Sequence, residues 1–126
     1  MAFKPDGYTS VAPYLTVRGA QSTIDFLIYV FDAQALRMIS GSEGKVAHGE
    51  VRIEDTVIML TDAVEGWPAT FSHVHIYVKD VDMTFERALS AGASEVQRPV
   101  HDGDGDKRGG FTDACGTTWW VSTQVE

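Results

Sequence analysis

The order of predicted elements places this chain in the α+β class, as two successive β-α-β-β-β modules of mostly antiparallel strands. Three observations carry that prediction. A short alternating run precedes a run with helical spacing twice over, near 14–31 and again near 73–91. Each helical run is followed by three further strand-like segments broken by Gly-, Asp- and Glu-containing turns. The chain has 126 residues, enough for one domain built of two half-size modules and too few for two independent ones.

The elements follow in order. Tyr14-Leu15-Thr16-Val17 alternates and is rich in β-formers, so a strand is expected at 11–17, ended by Gly19. Ala20, Ile24, Leu27, Ile28 and Phe31 recur at helical spacing and predict a helix over 20–31, with Ser22 or the nearby turn as its cap. A strand at 35–39 leads into Gly41-Ser42-Glu43-Gly44. Residues 45–53 and 56–61, separated by Glu54-Asp55, read as an antiparallel hairpin. Module one thus spans 8–62, and 63–71, with Gly66, Trp67 and Pro68, has no period and is the linker. Module two, 72–124, repeats the order: a strand over 73–78, a helix over 81–91 through Val81, Phe85, Ala88 and Leu89, and Gly92 where a left-handed residue ends a helix. A strand at 95–99, the acidic loop 101–106 and a hairpin of 107–112 with 117–123 complete it. At an offset of 61, Val17 falls on Val78, Ala20 on Val81 and Ile24 on Phe85.

Composition excludes some functions. A net charge of −8 is the wrong sign for nucleic-acid phosphates or an anionic membrane surface, so neither is an expected partner. No stretch is long and apolar enough for a membrane span, the N-terminus lacks a signal-peptide pattern, and the single Cys115 cannot form an internal disulfide. The expected setting is cytoplasmic. Cys115 lies in the turn-like Asp113-Ala114-Cys115-Gly116 and reads as a buried or half-buried turn residue. The loop Asp102-Gly103-Asp104-Gly105-Asp106 lacks EF-hand spacing and reads as a hairpin loop.

Particular motifs lie along this frame: Lys4-Pro5-Asp6-Gly7-Tyr8 before Pro13-Tyr14-Leu15, Ala47-His48-Gly49-Glu50, the run 75–82, and the run 105–113 with Gly116 beyond it. In that order and spacing the chain resembles the glyoxalase/bleomycin-resistance/extradiol dioxygenase (vicinal oxygen chelate) superfamily over nearly its whole length. The resemblance implies curved sheets around a small-molecule pocket, helices on the outside, and a homodimer. It implies a bacterial branch depleted in metal ligands. The positions at which metal-dependent members hold their ion are here Ala12, Glu50, His73 and Trp120. Ala12 and Trp120 offer no ligand atom, so Glu50 and His73 are the only candidates at those positions for a divalent metal, and no cofactor is assigned.

Strand alternation sorts the side chains. His48, Glu50 and Arg52 oppose Val51 and Ile53. His73, His75 and Tyr77 oppose Val74, Ile76 and Val78, and Trp120 opposes Trp119 and Val121. The expected pocket face carries His48, Glu50, His73, His75, Tyr77 and Trp120, with Trp67 and Arg108 as further substrate contacts. Two functions compete. One is a lyase, isomerase or related enzyme on a small oxygenated substrate, with Glu50 as a base of raised pKa and His73 or His75 as acid or oxyanion partner. The other is a non-catalytic protein that sequesters an antibiotic or other aromatic or cationic compound, which Trp120, Tyr77, Trp67 and the net negative charge would suit. A plainer reading of Glu50 is a partner for Arg52 or a histidine. In the first helix, Ile28 or Tyr29 should be exposed unless a second copy covers it.

Overall fold

Pro13 has no N–H to give to a ladder, and the first strand begins just after it, as β1 (Tyr14–Val17). It is shorter than the 11–17 expected. α1 (Ala20–Phe31), β2 (Gln34–Ser40), a 3₁₀ turn at Ser42–Gly44, β3 (Val46–Ile53) and β4 (Thr56–Asp62) follow. The second series is β5 (His73–Tyr77), α2 (Val81–Ser90), β6 (Ser94–His101), β7 (Asp106–Thr112) and β8 (Thr118–Gln124). This is a computed structural model, and it describes residues 2–126. By its contacts the chain divides into one unit that ends at Thr70 and another that runs Phe71–Glu126.

Each unit holds one four-stranded mixed sheet, open rather than closed, with the orders β1-β4-β3-β2 and β5-β8-β7-β6. In both, the first strand pairs parallel with the last and the other pairings are antiparallel. Two helices and eight strands make an α+β fold, as expected.

In the first unit Val17, Ile24, Leu27, Val51 and Leu60 form the core between α1 and its sheet. A Cβ on Gly49 would stand 2.8 Å from Ile24 Cδ1, so any side chain there would have to push the tip of Ile24 aside. The buried stripe of α1 is Ala20, Thr23, Ile24, Leu27 and Val30. Ile28 and Tyr29 are both exposed, so the helix keeps one face toward solvent although its sequence is apolar almost all round. Ser22 is not its cap. Gly19, in the left-handed region, precedes the helix and offers no side chain. Asp62, at the end of β4, takes that role: its Oδ1 accepts from the Gly19 and Ala20 amides at 2.9 and 2.8 Å, and its Oδ2 from the Val46 amide at 2.7 Å.

In the second unit Phe85 of α2 meets Phe111 of β7 edge to face, over Trp119 and Val121. Asp80 caps α2 through the Met83 amide, and Thr123 Oγ1 accepts from the Val81 amide at 3.0 Å. Thr123 thereby does for α2 what Asp62 does for α1. Gly92 takes φ +97 just beyond the helix end, as expected. The buried Asp113 organises the β7–β8 turn: it accepts from the Cys115 and Thr117 amides and from the Trp119 indole. Cys115 is a half-buried turn residue, as its context predicted.

Candidate functional site

In each unit the sheet face turned away from the helix carries a cluster of polar and aromatic side chains, and strand alternation decides which residues stand there. In the first unit His48, Glu50 and Arg52 project from β3 on that face. Glu50 is almost fully buried, and both its oxygens are engaged. Tyr8 O–H donates to Oε1 at 2.5 Å, and His48 Nε2 lies 2.7 Å from Oε2. The Tyr14 hydroxyl reaches the other nitrogen of His48 at 3.4 Å, edge-on to the ring.

The N-terminal segment is fastened at the same place. Arg52 donates through Nε and Nη2 to the Gly7 carbonyl at 3.3 and 3.1 Å, and the Val57 amide donates to Thr9 Oγ1. Burial pushes the Glu50 carboxyl up, but the hydrogen bonds from Tyr8 and His48 outweigh it and hold the group below its ordinary value. The raised pKa that would suit a general base is absent: donors on both oxygens stabilise the anion more than burial penalises it. The partner expected for Glu50 was Arg52 or a histidine; His48 fills that place. Trp67, in the segment after β4, stays exposed and donates its indole N–H to Thr16 Oγ1 at 3.0 Å.

In the second unit the corresponding face carries His73, His75 and Tyr77 from β5, Trp120 and Ser122 from β8, and Arg108 from β7. The Trp120 indole N–H donates to His73 Nδ1 at 3.0 Å. The two rings are inclined by only 13° with centroids 6.3 Å apart. With the nitrogens in contact, that separation places the rings side by side, as one nearly coplanar plate. Indole N–H can only donate, so His73 Nδ1 carries the lone pair and Nε2 the hydrogen. The plate lies on Gly110, the register partner of Trp120, where an added Cβ would stand 2.6 Å from Trp120 Cε3. A bare backbone at that point is what lets the indole lie down on the sheet.

Beyond the plate, His75 Nε2 lies 2.8 Å from the hydroxyl of buried Ser122, and Tyr77 meets His75 edge-on. Burial, followed by the Arg108 guanidinium, pushes His75 below its ordinary value against the opposing pull of Asp106. It is therefore neutral at physiological pH, a hydrogen-bonding group rather than a cation. Tyr77 O–H donates to Asp106 Oδ2 at 2.8 Å, which raises the phenol's pKa. Arg108 reaches Asp104 and Asp106 at 3.2 and 3.4 Å. A shallow groove of about 510 Å³ opens at this end of the sheet, lined by Tyr77, Val78, Asp106, Thr123 and Gln124. It does not include the plate.

Of the residues singled out from sequence, the structure joins His48 to Glu50, His73 to Trp120, and His75 to Tyr77. Arg108 joins the last pair through Asp106. Tyr8, Tyr14, Ser122, Asp106 and Gly110 complete these clusters and were not among the residues singled out as site residues. Tyr8 stands in the Lys-Pro-Asp-Gly-Tyr opening, but no local rule says which strand that segment will cross. Among the described residues no three His, Cys, Asp or Glu side chains are gathered as metal ligands would be. Nor is any helix long and apolar enough to cross a membrane.

Known proteins share this architecture. A protein of Mycobacterium bovis described as uncharacterized is 36% identical over 130 residues, covering 92% of this chain and 84% of its own. The crystal structure of TioX from Micromonospora superposes with a TM-score of 0.78 at 22% identity, over 93% of this chain and 99% of that one. TnmS3, an antibiotic binding protein from Streptomyces, superposes with a TM-score of 0.69 at 18% identity, over 93% and 98%. The family model for the Glyoxalase/Bleomycin resistance protein/Dioxygenase superfamily matches residues 7–121, and the chain belongs to that superfamily.

Proposed function

We propose that this protein is a cytoplasmic small-molecule binder that captures a planar aromatic compound without reacting with it. The observation that carries the reading is the His73–Trp120 plate, two hydrogen-bonded coplanar rings laid on Gly110. Such a plate offers a wide, rigid apolar face at little entropic cost, because the hydrogen bond and the close sheet already hold both rings. The architecture shared with TnmS3, an antibiotic binding protein, is consistent with this use.

The enzyme reading finds less support in the same side chains. Glu50 is held as an anion by two donors, one on each oxygen, and is almost fully buried, so it is poorly placed to take a proton from substrate. A divalent ion fits the donor set poorly. Both oxygens of buried Glu50 are engaged by Tyr8 and His48, and His73 Nδ1 is turned to Trp120, the residue at another of the family's ligand positions.

The test is calorimetric titration with planar aromatic compounds against the native protein and Trp120→Leu. Binding to the native protein that drops at least tenfold in the variant, with unchanged melting of the free proteins, is the expected result. Equal binding by both would refute the plate. We further infer a homodimer that covers Ile28 and Tyr29, both of them exposed on α1.

A further inference from the structure

On the same sheet face as the plate, the cationic fork of Arg108 is held only loosely. Gly110 is opposite Trp120 and Arg108 opposite Ser122, so Arg108 stands two residues from the plate, about 7 Å along the strands. Its partners are the chain's own carboxylates. One N–H reaches Asp104 Oδ2 at 3.2 Å and another reaches Asp106 Oδ2 at 3.4 Å. Both contacts are longer than the roughly 2.8 Å of a strong charge-assisted bond, and neither carboxylate takes the parallel two-point grip that a guanidinium offers.

The two carboxylates differ. Asp106 Oδ2 also accepts from Tyr77, and its side chain is largely covered. Asp104 is half exposed, on a loop flanked by Gly103 and Gly105, both of positive φ. Its Oδ1 accepts from the Asp106 amide at 3.1 Å, and its Oδ2, given to Arg108, is the exchangeable contact.

Resting on the plate reading above, we propose that the ligand is a planar aromatic acid: its ring lies on His73 and Trp120, and its carboxylate displaces Asp104 from Arg108. Asp104 holds the place of the ligand's anionic group when the site is free. A cationic ligand fits less well, because the Asp106 oxygen that would receive it is already shared by Tyr77 and Arg108. The net charge of −8 does not decide the matter. Repulsion from distant acids is screened over about 8 Å at cellular salt, whereas the guanidinium would be in contact.

Three probes with one ring system test this by calorimetry at about 0.15 M salt, where long-range repulsion is screened: 2-naphthoate, neutral 2-naphthamide and 2-naphthylmethylammonium. Naphthoate should bind about tenfold tighter than the amide, and Arg108→Gln should erase that difference. Asp104→Asn, which removes the competitor and leaves the sheet untouched, should tighten naphthoate severalfold and leave the amide unchanged. If the amide binds and naphthoate gains nothing, or if Asp104→Asn weakens naphthoate, the acid assignment is overturned and the plate stands. Tightest binding of the ammonium probe has the same meaning. If none of the three binds, the plate itself fails and this assignment with it.

Discussion

Gly110 accepts no side chain without moving Trp120. Its Cβ would stand 2.6 and 2.7 Å from two carbons of the indole, inside any real contact. Gly110→Ala must therefore lift the ring and strain or break its bond to His73. The expected cost is about 1–3 kcal/mol, as for other overpacked positions, read from urea melts. Ligand affinity should fall with it, and unaltered stability together with unaltered binding would show that the ring does not depend on the bare backbone. The alternation of β5 and β8 was enough to group His73, His75, Tyr77 and Trp120 on one face. That Trp120 and His73 form a plate was not legible, because it depends on which strand lies beside which and on the glycine beneath.

At the scale of elements, the two modules solve one problem with different chemistry. Each helix starts where the last strand of its own sheet ends, and a side chain there accepts the first helical amide. Asp62 does this for Ala20, and Thr123 does it for Val81, the same pair at an offset of 61. Asp62 also takes the Gly19 and Val46 amides, and these three bonds hold its carboxyl below its ordinary value although burial pushes it up. Asp62→Ala should cost about 3 kcal/mol, the upper range for hydrogen bonds to a charged group, and Thr123→Val about 1 kcal/mol. Chemical denaturation of the two variants checks the order; equal losses would mean that Asp62 is no more than a local cap. The helix at 20–31 was legible from its periodicity. Its cap was not, since the capping residue lies more than 40 positions away and Ser22 was the nearest candidate in sequence.

For the molecule as a whole, three groups shift stability in the same direction with pH. His75 is held below its ordinary 6.5, so the unfolded chain takes up its proton first and stability declines as pH falls below about 6.5. Glu50 and Asp62 are held below 4.5 and 3.8, and what they contribute is present above those values and lost as pH falls through their folded ones. Urea midpoints should therefore drop from neutral pH to about pH 5 in the native protein and less in His75→Gln, with a further fall below about pH 4. Parallel profiles for the two proteins between neutral pH and about pH 5 would contradict the role given to His75. The exposed Ile28 and Tyr29 bear on association: a sedimenting dimer that Tyr29→Glu converts to monomer is the expected outcome, and a monomeric native protein at micromolar concentration would remove the dimer.

Element order, the repeat at 61 and the facing of each strand were determined by the sequence alone, because periodicity, turn residues and alternation are local properties that each segment carries with it. The ordered motifs likewise sufficed for the superfamily. The state of Glu50, the cap of α1 and the plate were decided only by tertiary structure. Each depends on a partner distant in the chain: Tyr8 is 42 residues from Glu50, and Trp120 is 47 from His73. A carboxylate's charge, a helix's cap and a ring's orientation are set by such neighbours, and no short window of sequence contains them.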